Sequence, residues 1–318
     1  MTEAARMPIT RMPITLQESL RAVFYAPFYV ALARNAYAQE VVEVRFVSAP
    51  SPGRAALGVL DGTADVCWGG PMRVMQAYAQ APDCDLVHFA EVVTRDPFLL
   101  LGRVPRPGFT LRDLPGLRIG TVSEVPTPWM CLQEDLRRAG IAPARMHRVA
   151  DRTMADNVAA LRRGELDVVQ VFEPYAAALE ADGAGSVWYA AANRGPTSYT
   201  TFYTRRAMLR DRRTELHRMV RAIYRAQQFV AKSDAAAIAD AIAGFFPETG
   251  RDLLAAACRR YQALGIWGTT PILPRAGYDR LLSGLVSGGF VSPGTPFEIA
   301  VDNSLAEQVL GENLAPLD

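Results

Sequence analysis

The hydrophobic positions of this chain change period repeatedly, passing between short apolar runs and helical spacing. Residues 14–18 read as a first strand and 19–25 as the loop after it. Ala26-Pro27-Phe28-Tyr29-Val30-Ala31-Leu32 opens a helix, with proline in the first turn, where a missing N–H has no partner to lose. Val42, Val44 and Phe46 alternate with Glu43 and Arg45, which predicts a strand over 41–47, and a helix follows over 52–60. That helix ends, turns at Gly62, runs into a buried strand over 64–68 and turns at Gly69-Gly70 into a helix opened by Pro71. Strands over 86–93 and 97–102 come next, and Pro105-Arg106-Pro107-Gly108 breaks the chain.

Beyond the break, the pattern predicts a strand ending at Gly120, a helix capped within 123–128 and ended by Gly140, and a strand over 146–149. A helix over 154–163, a strand over 167–172, a helix from Pro174 and strands over 186–190 and 200–204 follow. From Arg206 the pattern is helical. Leu216, Met219, Val220, Ile223, Phe229 and Val230 share one face of 214–232, and further helices are predicted over 235–244, 251–264 and 275–288.

One unit occurs twice. Val59-x-x-Gly62-x-x-Asp65-Val66 returns as Leu161-x-x-Gly164-x-x-Asp167-Val168, and Phe172-Glu173-Pro174 then stands where Trp68-Gly69-Gly70-Pro71 stood. The echo predicts two similar α/β lobes, each ending a strand in a helix start that faces a shared space. Such strand ends hold ligands, because free N–H groups and the positive helix end converge there. The strand order predicts two chain crossings, near 97–106 and 199–205, so the first lobe is discontinuous: 12–98 with 203–318 for lobe 1, and 104–199 for lobe 2.

Composition narrows the function. Half of the 318 residues are hydrophobic, about a fifth are charged and the formal net charge is +1, which gives no electrostatic case for nucleic acid. The apolar runs are too short for membrane insertion. Lys232 is the only lysine, and it sits on a polar helix end beside Ser233 and Asp234, a poor setting for Schiff-base chemistry. Cys67, Cys84, Cys131 and Cys258 are scattered, as are His88, His147 and His217, so neither a metal site nor a disulfide framework is expected. No cofactor-binding or catalytic motif occurs, and no catalytic residue is assigned. The doubled Arg-Met-Pro-Ile-Thr offers alternative starts at Met7 and Met12, and no secretory leader pattern precedes the first strand. The chain as written is expected in the cytoplasm, or in the periplasm if translation starts upstream.

Several motifs in order carry a resemblance. They are A-P-F-Y-V-A-L-A after the first strand, G-x-x-D-V before the pocket turn, and D-L-P-G-L-R-I-G. A-L-R-R-G-E-L-D-V-V-Q-V-F-E-P-Y over 160–175 and V-D-N-S-L-A-E over 301–307 complete the set. Over roughly 26–310 the chain resembles the nitrate/sulfonate/taurine-type solute-binding proteins of ABC importers, a family that also contains binders of thiamine-pyrimidine precursors. The resemblance implies the α/β type 2 periplasmic-binding-protein fold. In it, two lobes are joined by two crossover strands, the helical C-terminal part packs on lobe 1, and a small organic solute sits in the cleft. An ABC permease is the implied partner.

By the same resemblance the ligand-binding residues are Phe24, Tyr25, Gly69, Gly70, Met72, Ser123, Thr127, Glu173 and Tyr175, with Glu18, Trp68, Arg73, Arg95, Trp129 and Tyr199 as further candidates. Each has a plainer reading: a helix-entry turn for Gly69-Gly70, a helix cap for Ser123, Thr127 or Glu173, and a core ring for the aromatics. Glu173 facing the cleft would argue against a purely anionic solute, and Trp68 would narrow the pocket. The alternatives are a cytosolic enzyme on the same fold, desulfinase-like or pyrimidine-precursor-related, and a cytosolic ligand sensor. Desulfinases of that kind carry a cysteine in the loop after the first strand, and 19–29 contain none. Cys67 is the one cysteine expected near the cleft.

Overall fold

A computed structural model of the chain describes residues 12–292 and 295–317. The doubled start at Met7 therefore lies outside the described residues. Ten strands form two sheets. They are β1 (Ile14–Glu18), β2 (Val44–Ser48), β3 (Val66–Gly69), β4 (Leu86–Val93) and β5 (Leu99–Gly102), then β6 (Arg118–Gly120), β7 (His147–Val149), β8 (Val168–Val171), β9 (Ser186–Ala190) and β10 (Thr200–Arg205). The first sheet has the order β2-β1-β3-β10-β4 and the second β7-β6-β8-β5-β9.

The two sheets match strand for strand. In each, the first three strands are parallel, and the fourth, arriving from the other sheet, is antiparallel to both neighbours. The duplicated sequence unit shows why. Asp65 accepts the backbone N–H of Thr15 at 2.9 Å, and Asp167 accepts that of Arg118 at 2.8 Å, so each aspartate registers the first strand of its sheet against the third. Gly62 and Gly164, at φ +82° and +76°, make the left-handed turn before each aspartate, which is why both positions are glycine.

The chain passes between sheets twice, over 94–98 and 191–199. All of β10 pairs in the first sheet, including Thr200 to Phe202, so the strand predicted over 200–204 lies wholly on the lobe 1 side. Helix Ala26–Ala33 packs on the long helix Arg213–Lys232 and on Ala235–Ile242, and Ser304–Leu310 closes over Arg213–Lys232 and β4. The C-terminal helices also reach the other lobe: Arg251–Leu264 packs on Tyr175–Ala181, and Arg275–Ser287 on Thr127–Arg138. At the second contact Gly284 brings the two helices close, an added Cβ there lying 3.6 Å from Cys131.

Candidate functional site

The C-terminal ends of β1, β3 and β8 face a cleft between the sheets. Its inner end is a chamber of about 40 Å³ lined by Ser19, Phe24, Tyr25, Gly70, Met72 and Arg73 from lobe 1, Val125, Thr127 and Phe172 from lobe 2, and Phe98 and Tyr199 from the crossings. It continues through Leu20, Pro52, Val125 and Phe172 into an outer chamber of about 520 Å³, where Arg21, Glu124, Met154, Tyr175, Phe246 and Thr249 complete the wall.

Local sequence explains the inner walls. Met72–Gln80 and Thr127–Arg138 both start at the chamber, so two positive helix ends converge on it. Pro126 and Pro128 flank Thr127, and Pro71 precedes Met72; none has an N–H to leave unpaired at a helix start. Phe24 stands edge-on to Phe172 across the cleft at 5.3 Å, and its carbonyl accepts Trp267 Nε1 at 2.8 Å. Phe98 packs on Phe172 at 5.3 Å, so an aromatic floor joins the lobes.

The inner chamber has one charged group, Arg73. Nη1 donates to Gln76 Oε1 at 3.1 Å, and among the described residues no carboxylate lies within ion-pair distance of it. Burial depresses the pKa of Arg73, yet a guanidinium stays charged at any physiological pH. Ser19 Oγ and Tyr25 OH share a hydrogen bond at 2.9 Å. The Tyr199 hydroxyl is buried with no hydrogen-bond partner. Burial raises the pKa of both tyrosines, so they remain protonated donors.

Of the residues named from sequence, the structure brings Phe24, Tyr25, Gly70, Met72, Thr127, Arg73 and Tyr199 to the inner chamber and Tyr175 to the outer one. The others stand elsewhere. Glu173 is fully buried: its carboxylate accepts the N–H of Ala177 at 2.8 Å and pairs with Arg260, so it caps its own helix and bridges to lobe 1 instead of facing the cleft. The inference against an anionic solute therefore falls. Gly69 lies under the turn, where a Cβ would stand 3.2 Å from Ser19. Trp68 is fully buried and stacked between Phe28 at 4.7 Å and Phe46 at 5.3 Å, a core ring that narrows nothing. Glu18 is buried under Arg21, Ser48 and Tyr29, whose hydroxyls donate to it at 2.6 and 2.8 Å. Ser123 is exposed outside both chambers, and Arg95 sits on a crossing near Ala192 O. Trp129 faces the core of lobe 2 with Arg148 over its ring at 4.5 Å.

Sequence reasoning missed Ser19, Leu20, Arg21, Ala22, Pro52, Phe98, Glu124, Val125, Met154, Phe172, Pro174, Phe246 and Thr249 as lining residues. Phe172 carried a signal, since it occupies the same post-strand place as the turn after Trp68. Phe246 and Thr249 carried none, because tertiary packing alone brings them to the mouth. No cysteine or histidine lines either chamber among the described residues. Cys67 is buried beneath the turn, its thiol donating to Trp68 O and its pKa pushed up to about 12 by burial, which makes it a poor nucleophile.

The fold is a two-lobed α/β arrangement of the periplasmic-binding-protein type. Residues 110–244 match the model of the NMT1-like family. The chain is 24% identical over 97% of its length to a Bacillus subtilis protein named "Putative binding protein YtlA", of which 93% is covered. Among solved structures, the periplasmic aliphatic sulphonate binding protein SsuA from Escherichia coli superposes with a TM-score of 0.75 at 16% identity, covering 92% of this chain and 93% of SsuA. The desulfurization enzyme DSZB superposes with a TM-score of 0.67 at 13% identity, covering 94% and 99%. The two structures share this fold, and their functions differ. No helix among the described residues is long and apolar enough to cross a membrane.

Proposed function

We propose that this protein captures a small organic solute between its lobes and breaks no bond in it, serving as the receptor of an ABC importer. The observation that carries the reading is a continuous cleft walled by both lobes that ends on a half-buried cation without an acid partner, beside a glycine turn and two helix starts. No lining side chain of the described chain has the makings of a nucleophile with a base, which turns the reading away from the enzyme that shares the fold. The lobes are taken as 12 to about 94 with about 200–318, and about 99–190. A permease as partner and the periplasm as compartment belong to the same reading.

The test is a thermal-shift screen of small metabolites followed by calorimetry on the parent and on Gly70→Val. An alanine Cβ at 70 would sit 3.7 Å from Tyr199 O, so the backbone tolerates a side chain there, while valine methyls project into the inner chamber. The variant is expected to fold with binding weakened at least tenfold. Equal binding by the variant, or turnover of the ligand by the parent, contradicts the reading.

A further inference from the structure

The inner chamber is nearly sealed. Its side chains Phe24, Met72, Phe98 and Thr127 are between 1% and 7% exposed, so a solute reaches them only if part of the wall moves. Separation of the lobes is a costly way to open it. Arg260 on helix Arg251–Leu264 pairs across the lobes with the fully buried Glu173 and with Glu180, and Ser287 Oγ on the next long helix accepts Arg137 Nη1 at 3.1 Å. Stripping Glu173 of its cation would leave a carboxylate out of water. The two crossings are also bonded to each other, by Arg194 on Asp96 at 2.6 Å and by Thr197 N–H on Thr94 O at 2.8 Å, which stiffens the joint.

One wall of the mouth is held far more lightly. Residues 243–250, Ala-Gly-Phe-Phe-Pro-Glu-Thr-Gly, join helix Ala235–Ile242 to helix Arg251–Leu264 and put Phe246 and Thr249 on the outer chamber. Among the described residues, the hydrogen bonds of this strap stay within it or run to its own helices, save one: Arg21 Nη1 donates to Phe245 O at 3.0 Å, in an exposed position. Arg21 is anchored in turn by Glu18, which accepts its Nε at 3.0 Å. Phe245 stacks on Tyr29 at 4.6 Å, and Phe246 stands edge-on to the same ring at 5.5 Å.

The strap is also built to turn. Gly244 and Gly250 stand near its two ends, and a Cβ on either would meet nothing within 4 Å, so packing does not require glycine there. Neither has a positive φ. What the pair supplies is backbone freedom. At the base the two helices pack on each other and Arg251 Nε donates to Asp240 at 2.6 Å, which fixes the ends while leaving the tip free.

Resting on the solute-binding reading above, we propose that residues 243–250 are a gate. Solute passes in and out of the cleft as the strap swings off Tyr29, while the lobes stay in place. Arg21 is the latch and the two glycines are the hinges.

The experiment follows entry with a probe of known identity. Thr127→Cys puts a thiol on the inner chamber, and its rate of modification by methyl methanethiosulfonate and by the bulkier benzyl reagent is read at that residue by mass spectrometry. Three changes are then made in that background. Phe245→Ala removes the stack on Tyr29 without altering either chamber wall, and should speed modification by the benzyl reagent at least fivefold. Gly244→Ala combined with Gly250→Ala stiffens the hinges at positions that accept alanine, and should slow it at least threefold. Arg260→Ala releases the lobe tie, and should change it less than twofold.

Thermal melting checks that each variant is folded at the assay temperature. The glycine pair keeps the test decisive if Phe245→Ala unfolds, because a damaged fold would speed modification and not slow it. Rates that ignore both strap variants, a fivefold rise in Arg260→Ala alone, or a thiol that stays unmodified throughout overturns the gate. The thiol reports entry whatever the protein binds, so a thermal-shift screen that returns no binder fails the solute-binding reading and leaves the gate result standing.

Discussion

Arg260, on a helix of lobe 1, pairs with the carboxylate of Glu173, a fully buried residue at the end of a lobe 2 strand, and with Glu180 on the helix that Glu173 caps. The neighbouring Tyr261 hydroxyl accepts the N–H of Glu173 at 2.8 Å and donates to the carbonyl of Pro97 on the crossing. The lobes are therefore tied on this flank by side chains as well as by the chain itself. Burial raises the pKa of Glu173, and Arg260 opposes that rise. Arg260→Ala should cost about 1.5–3 kcal/mol in denaturant unfolding, the loss expected for hydrogen bonds to a charged group. Glu173→Gln should lower stability and leave ligand affinity unchanged, because the carboxylate does not face the cleft. A large loss of affinity in Glu173→Gln with unchanged stability would contradict this placement.

A second tie stands on the crossings. The buried Arg194 guanidinium holds Asp96 at 2.6 Å and Asp135 through Nε at 3.0 Å, and Tyr189 OH donates to Asp135 at 2.9 Å. Removing Arg194 would strand two carboxylates out of water. Arg194→Ala is expected to destabilise the fold by about 3–5 kcal/mol, measured by urea unfolding. A change below about 1 kcal/mol would mean that water reaches these carboxylates.

The pH profile of stability should carry the mark of Glu91. It lies fully buried on β4, and burial lifts its pKa from 4.5 to about 8. A carboxyl raised in the folded state binds its proton more tightly there. The stability it lends is full below the unfolded pKa and is lost as pH rises toward 8. His88, on the same strand, is lowered by burial to about 3, and its contribution is lost only as pH falls below 6.5. Above about pH 6.5 His88 is neutral in both states, and the Glu91 effect runs on toward pH 8 with a slope of up to about 1.4 kcal/mol per pH unit. Unfolding at several pH values should show that decline in the parent and its removal in Glu91→Gln. The same decline in both would sink the assignment.

Much of this fold was legible because its decisive contacts are local or repeated. Asp65 and Asp167 recur at the same distance after a glycine turn, and each does the same job, so the sequence echo tracked a real structural one. Strands β1, β4 and β9 fall where hydrophobic runs placed them. The short helix Ala36–Gln39 was not legible; it is too brief to show a period. In the cleft, position after a strand found Gly70, Thr127 and Tyr175, yet could not tell a lining side chain from a buried one. Glu173 sits in the expected turn, but its carboxylate is drawn away by Arg260, eighty-seven residues distant in sequence. Trp68 likewise sits one residue before the turn and points into the core because Phe28 and Phe46 arrive to stack on it. Such outcomes depend on long-range partners that no local pattern encodes.

The central claim is the proposal that one small molecule is held between the lobes, in the cleft formed by the inner and outer chambers. The most direct measurement is a crystal structure of the protein with the tightest ligand from the thermal-shift screen. The account predicts ligand density touching Arg73 and Gly70 from one lobe and Phe172 or Thr127 from the other, with the molecule running past Leu20 toward Tyr175. Ligand bound outside the cleft, with both chambers filled only by water, would contradict it.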